Sequence, residues 1–125
     1  MKIWLAIAAV LAFAVLGFAQ KSLEAYRDAL KENPKSSLAH YGIAEIYFGQ
    51  RNYQKAANEF RNALDGDLDP KWIKVWSYIY LGKIFDVAGQ RDRAVNEYNL
   101  ALNTRDDTRG ALEEAEKYLE TPYQR

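Results

Sequence analysis

Side chains able to do covalent chemistry are scarce in this 125-residue chain, which has one histidine, His40, and no cysteine. No Ser-His-Asp set and no cluster with metal-ligand spacing is present. Asp65-Gly66-Asp67-Leu68-Asp69 resembles the opening of a calcium loop. The pattern then fails, because Pro70 stands where that loop turns on Gly and Trp76 stands where it needs Glu. A helix stop followed by a helix cap accounts for these carboxylates. Glycine-rich phosphate loops are absent. A catalyst is therefore not expected, nor a cofactor, a metal or a small-molecule substrate.

The chemistry that remains is recognition by aromatic surface. Trp72, Trp76 and Tyr80 are spaced i, i+4, i+8, so a helix brings them to one face. Rings of this kind supply large contact area at low entropic cost, which suits a peptide or helix ligand. The plain alternative is that Trp72 and Tyr80 pack on a neighbouring helix.

Composition divides the chain into two parts. Seventeen of the first nineteen residues are hydrophobic; only Lys2 and Gly17 are not. Lys2, an apolar run to Leu16 and small residues at Gly17 and Ala19 have the layout of a secretory signal peptide over 1–19. The expected address is the periplasm or the extracellular space. The alternative is an uncleaved membrane anchor, although the run is short for a span of about 20 residues. Without Lys2 the remainder carries sixteen basic against seventeen acidic residues, so no nucleic-acid partner is expected. With no cysteine, residues 20–125 must be held by packing alone.

Beyond the leader the spacing of apolar residues is helical, and strand signals are weak. The spacing predicts helices over 21–32, from Ser36-Ser37 to about Gly49, and from Asn52 to about Asp65. A fourth is expected to open with Asp69 as cap and Pro70 at its first position, and to run to about Ala88. A fifth spans about Asp92 to Asn103, and a sixth Thr108 to Glu120. The solvated faces of these helices take up the balanced charges.

A repeat runs through these elements. Ser22-x3-Tyr26-x2-Ala29 recurs as Ala56-x3-Phe60-x2-Ala63 and as Ala94-x3-Tyr98-x2-Ala101. His40-x2-Ile43-Ala44-x2-Tyr47 precedes the second copy, and Tyr78-x2-Leu81-Gly82-x2-Phe85 precedes the third. The pattern resembles the tetratricopeptide repeat family, with departures. Asp106 stands where the family often has Pro, His40 and Tyr78 replace its Trp, and four extra residues lie between Ala63 and Leu81. Four residues are close to one helical turn, so the fourth helix is expected to gain a turn near Pro70 to Ile73.

The resemblance implies an all-α helical-repeat solenoid: a half repeat (20–34), two full repeats (37–68 and 70–106) and a capping helix (108–120). Ala9, Val10, Phe13 and Gly17 of the leader stand 34 residues before Ile43, Ala44, Tyr47 and Arg51. Either this register is coincidence, or losing the leader uncovers a seam on helix 21–32 that pairs with a second copy or a partner. The resemblance also implies a groove lined by the first helix of each pair. Carried over, its lining is Leu38, Tyr41, Glu45 and Phe48, then Trp76, Ile79, Lys83 and Asp86, with Trp72 on the added turn and Tyr80 beside it. Some family members grip a terminal carboxylate with several Lys, Arg and Asn. Only Lys83 falls on the lining here, so apolar or mixed recognition of a protein or peptide is expected.

Overall fold

The protein is described from a computed structural model that covers the backbone of residues 2–125 and the side chains of residues 16–125. Its helices are α1 (Lys2–Glu32), α2 (Ser37–Gly49), α3 (Tyr53–Leu64), α4 (Trp72–Val87), α5 (Arg91–Asn103) and α6 (Ala111–Glu120). A 3-10 turn at Thr108–Gly110 leads into α6. No strand occurs among the described residues. Two antiparallel pairs, α2 with α3 and α4 with α5, stack through α3 on α4. Helix α1 covers α2 at one end, and α6 covers α5 and α4 at the other. This is the helical-repeat solenoid that the sequence predicts.

Polar residues at the expected positions start two of these helices. Ser36 Oγ accepts the Ala39 N–H at 3.2 Å, and Asn52 Oδ1 accepts the Lys55 N–H at 3.4 Å. Each satisfies an amide that the first turn leaves open. Small residues then set the approach within each pair. Ala44 and Ala56 are both fully buried at the first crossing. At the second, a Cβ on Gly82 would run into the Tyr98 ring. Glycine inside a helix costs about 0.5–1 kcal/mol relative to alanine, but here alanine has no room. Phe60, Ile73, Val75, Ile79 and Tyr98, all fully buried, fill the space between layers.

Three boundaries differ from the sequence reading. The first helix does not begin at residue 21; it runs unbroken from Lys2, because Gln20, Lys21 and Ser22 include no helix breaker. Residues 2–19 of the proposed leader lie in this helix, and the side chains of residues 1–15 lie outside the described residues. The fourth helix is not capped by Asp69, and Pro70 is not its first residue. It starts at Trp72, after Lys71. The lengthening itself is present: α4 has sixteen residues against thirteen in α2. The last helix starts at Ala111 rather than Thr108, because Arg109 (φ 58°) and Gly110 (φ 72°) take left-handed conformations that α-helical hydrogen bonding cannot continue.

Of the three carboxylates that resemble a calcium loop, the middle one, Asp67, is spent on the backbone. Asp67 Oδ1 accepts the N–H groups of Ser37 at 3.1 Å and Asp69 at 3.2 Å. These two amides hold its carboxyl below the ordinary carboxylate range. Ser37 Oγ donates to the Ala63 carbonyl and accepts the Leu68 N–H, so the start of α2 is tied to the end of α3. Among the described residues no group of three or more acidic or histidine side chains is placed to hold a metal ion.

Candidate functional site

Helices α2 and α4 turn their inner faces toward each other, and the rings between them form one aromatic layer. Its floor is buried. Tyr41 meets Phe60 edge-on at 5.6 Å, Phe60 stacks on Tyr80 at 4.7 Å, and Ile79 lies fully buried nearby. Trp72 meets Tyr41 edge-on at 5.2 Å, and Phe48 meets Tyr80 at 4.9 Å. Edge-on and stacked pairs add about 0.5–1.5 kcal/mol each beyond the area they bury. Trp72, Tyr80 and Phe48 are half-buried, so part of each ring faces solvent. Leu38 stands at the rim, 46% exposed.

The polar groups along this face are paired. Glu45 is exposed and accepts the Tyr80 hydroxyl at 3.0 Å. Burial pushes both the Tyr41 and Tyr80 phenols up, and the Glu45 charge adds to it. Both therefore remain hydrogen-bond donors at neutral pH. The Arg109 guanidinium lies 4.4 Å from the Trp72 ring, within cation–π range.

The end of the face nearest α6 is covered by the chain itself. Trp76 is 9% exposed and its Nε1 donates to the Thr108 carbonyl at 3.0 Å. Lys83 is equally buried; its Nζ lies 2.8 Å from Glu114 Oε1 and about 5 Å from the rings of Tyr80, Tyr118 and Tyr123. Asp86 is a hub rather than a lining group. Its carboxylate, 1% exposed, accepts from Arg91 Nη1 at 3.0 and 3.1 Å, the Tyr98 hydroxyl at 2.8 Å and the Tyr123 N–H at 2.9 Å. Burial raises the Tyr98 phenol, and the bond to Asp86 raises it further.

Leu38, Tyr41, Glu45, Phe48, Trp72 and Tyr80 thus gather around one partly open surface. Trp76, Ile79, Lys83 and Asp86 continue the row beneath α6 and the segment after it. Sequence reasoning missed Thr108, Arg109, Glu114 and Tyr123, which do the covering. Tyr118 was legible on the apolar side of the last helix. Tyr123 follows Pro122 in a stretch with no period, so no signal marked it.

His40 is structural. Its Nδ1 lies 2.7 Å from Glu59 Oε2 and its Nε2 lies 3.1 Å from the Pro34 carbonyl, joining α2 to α3 and to the turn after α1. Tetratricopeptide folds are typically non-catalytic.

Comparison with known proteins agrees with this architecture. A tetratricopeptide repeat family model matches residues 7–71, just over half of the chain. The match opens at residue 7, close to where the 34-residue register also begins. Human tetratricopeptide repeat protein 6 is 34% identical over 58 residues, 46% of this chain and 11% of that protein. BBSome complex member BBS4 of Bos taurus is 30% identical over 88 residues, 70% of this chain and 16% of that protein. The general transcriptional corepressor ssn6 of Schizosaccharomyces pombe is 34% identical over 82 residues, 66% of this chain and 7% of that protein. The chain therefore spans a small fraction of each of these relatives. The family type is a protein–protein interaction scaffold. On its repeat pattern, its paired helices and this match, the chain belongs to the tetratricopeptide repeat family.

Proposed function

We propose that the protein is a non-catalytic adaptor that binds a segment of a partner protein on the face shared by α2 and α4. The observation that carries this reading is the open half of the aromatic layer. Phe48, Trp72 and Tyr80 show part of their rings to solvent, and Leu38, one turn before Tyr41 on α2, is exposed. Anchors of this kind, flanked by polar groups such as Glu45 and Arg109, are what a protein interface needs at its centre and rim. Only Lys83 on the row is basic, and Glu114 engages it, so a carboxylate clamp is disfavoured. Leu38→Glu tests the reading. The side chain is exposed, so helicity measured by circular dichroism should not change. Partner binding should weaken by about tenfold, the equivalent of 1.4 kcal/mol. Unchanged binding would count against this face.

A second reading, self-association through residues 21–32, has its own support. Ser22, Tyr26 and Ala29 occupy repeat positions that are fully buried in the other copies, at Ala56, Phe60, Ala63 and at Ala94, Tyr98, Ala101. In the first copy Ala29 is exposed, and Ser22 and Tyr26 are half-buried. Leu16 and Phe18, on the same helix, are 60% and 74% exposed. We also propose that residues 1–19 direct export to the periplasm or extracellular space, with retention as an N-terminal anchor for an assembly scaffold as the alternative. Among residues 16–125 no helix is long and apolar enough to cross a membrane. N-terminal sequencing and sedimentation of the native protein test both points. A start at Gln20 supports export with cleavage, and a start at Met1 supports the tether. A monomer at high concentration overturns self-association.

A further inference from the structure

Residues 121–125 turn back across the aromatic face where α6 ends. The Thr121 N–H closes the helix on the Lys117 carbonyl at 3.0 Å, and Thr121 itself is extended (φ −130°, ψ 122°). Pro122 favours that conformation in the residue before it. The next residue makes the contacts. The Tyr123 N–H donates to Asp86 Oδ2 at 2.9 Å. Its ring meets Tyr118 edge-on at 5.3 Å, lies 6.2 Å from Phe48, and sits 5.2 Å from Lys83 Nζ. A cleft of about 230 Å³, lined by Asp86, Val87, Tyr123, Gln124 and Arg125, stays open beside it.

One main-chain hydrogen bond and one ring hold this segment, which is how a short extended peptide docks on a preformed surface. We propose that residues 121–125 are a removable plug, filling in cis the end of the groove that an extended, aromatic-bearing segment of a partner protein occupies in trans. The proposal rests on the groove reading above. Its occupant is argued from the seat itself. A buried carboxylate receives a backbone N–H, and a buried ammonium ringed by tyrosines receives an aromatic face. Connectivity explains why so few contacts suffice. Tyr123 stands three residues beyond the end of α6, and a tether that short gives an effective concentration in the millimolar range. A segment in trans must outcompete that concentration before it can bind.

The test uses a synthetic peptide of residues 119–125, Leu-Glu-Thr-Pro-Tyr-Gln-Arg, added to the isotopically labelled full chain and to the chain ended after Glu120. The ended chain should bind the peptide saturably, with amide shifts at Phe48, Lys83, Asp86 and Tyr118. The intact chain should bind it at least about tenfold more weakly, because its own segment competes. Should the ended chain unfold, Tyr123→Ala in the intact chain removes the ring alone and should also gain peptide binding. A peptide with Ala in place of its Tyr should not bind. Equal affinity for intact and opened chains, no binding to either opened chain, or shifts elsewhere would overturn the plug. None of those results touches the Leu38 rim, where the groove reading has its own test.

Discussion

Phe60→Ala is expected to cost about 3–5 kcal/mol of folding stability, the range for removing a large ring from a close-packed core. Phe60 is fully buried. It stacks on Tyr80 of α4 at 4.7 Å and takes the edge of Tyr41 of α2 at 5.6 Å. One side chain therefore ties α3 to both helices that build the candidate face. The surrounding rings are large and flat, and their backbones belong to helices fixed by other contacts, so the space should collapse only partly. Total stabilities of 5–15 kcal/mol are usual for single domains, so the loss is a large fraction of the whole. Urea denaturation followed by circular dichroism measures it. A lower midpoint at unchanged slope is the expected result. A loss under about 1 kcal/mol would mean the layer repacks freely and is not the rigid floor described above.

The second large effect belongs to Asp86. Asp86→Ala is expected to destabilise by about 3 kcal/mol, the low end for removing one partner of a buried pair, because Arg91 keeps some solvent contact. Four hydrogen bonds end on this carboxylate. Its loss leaves Arg91, whose Nη2 also reaches the Tyr118 and Leu119 carbonyls at 2.8 Å, without its anionic partner. The damage should therefore appear at the far end of the chain as well. Hydrogen exchange of the Tyr118 and Leu119 amides should rise with the fall in stability. Asp86→Asn separates charge from volume. It fits the space and can keep an oxygen toward Tyr98 and Tyr123, but it then turns amide hydrogens toward Arg91, itself a donor, and leaves that guanidinium without a counter-charge. It should recover little. An Asn variant of near-native stability would show that shape, not charge, holds this corner.

Much of this architecture was legible because each repeat position serves the same packing need twice. Ala56 and Ala94, Phe60 and Tyr98, Ala63 and Ala101 are buried alike, and their spacing survives any change of surface. Gly82 was legible for a related reason: a small residue in a helical run marks a close approach, and the Tyr98 ring fills it. The extra turn of α4 was also readable as a count of four residues, although its first helical residue is Trp72 rather than Pro70. The spacing of Trp72, Trp76 and Tyr80 did place them on one side of α4. What spacing cannot show is which long-range neighbour covers each residue. Trp76 is buried because the Thr108 carbonyl reaches its indole from another element. Lys83 and Asp86 are drawn inward by Glu114, Arg91 and Tyr98, partners five to 31 residues away in the sequence. The kink at Arg109 and Gly110 escaped for a different reason. Gly110 permits the left-handed turn, but no apolar residue lies between Leu102 and Ala111 to mark where the helical period begins.

The central claim is that the open half of the aromatic layer is where a partner protein docks. Photo-crosslinking in the native compartment tests it most directly, with the reactive side chain placed at Leu38 and, as a control, at exposed Arg93 on α5. A discrete adduct with another protein is expected from position 38 and none from position 93. The same adducts from both positions, or none from position 38, would contradict it.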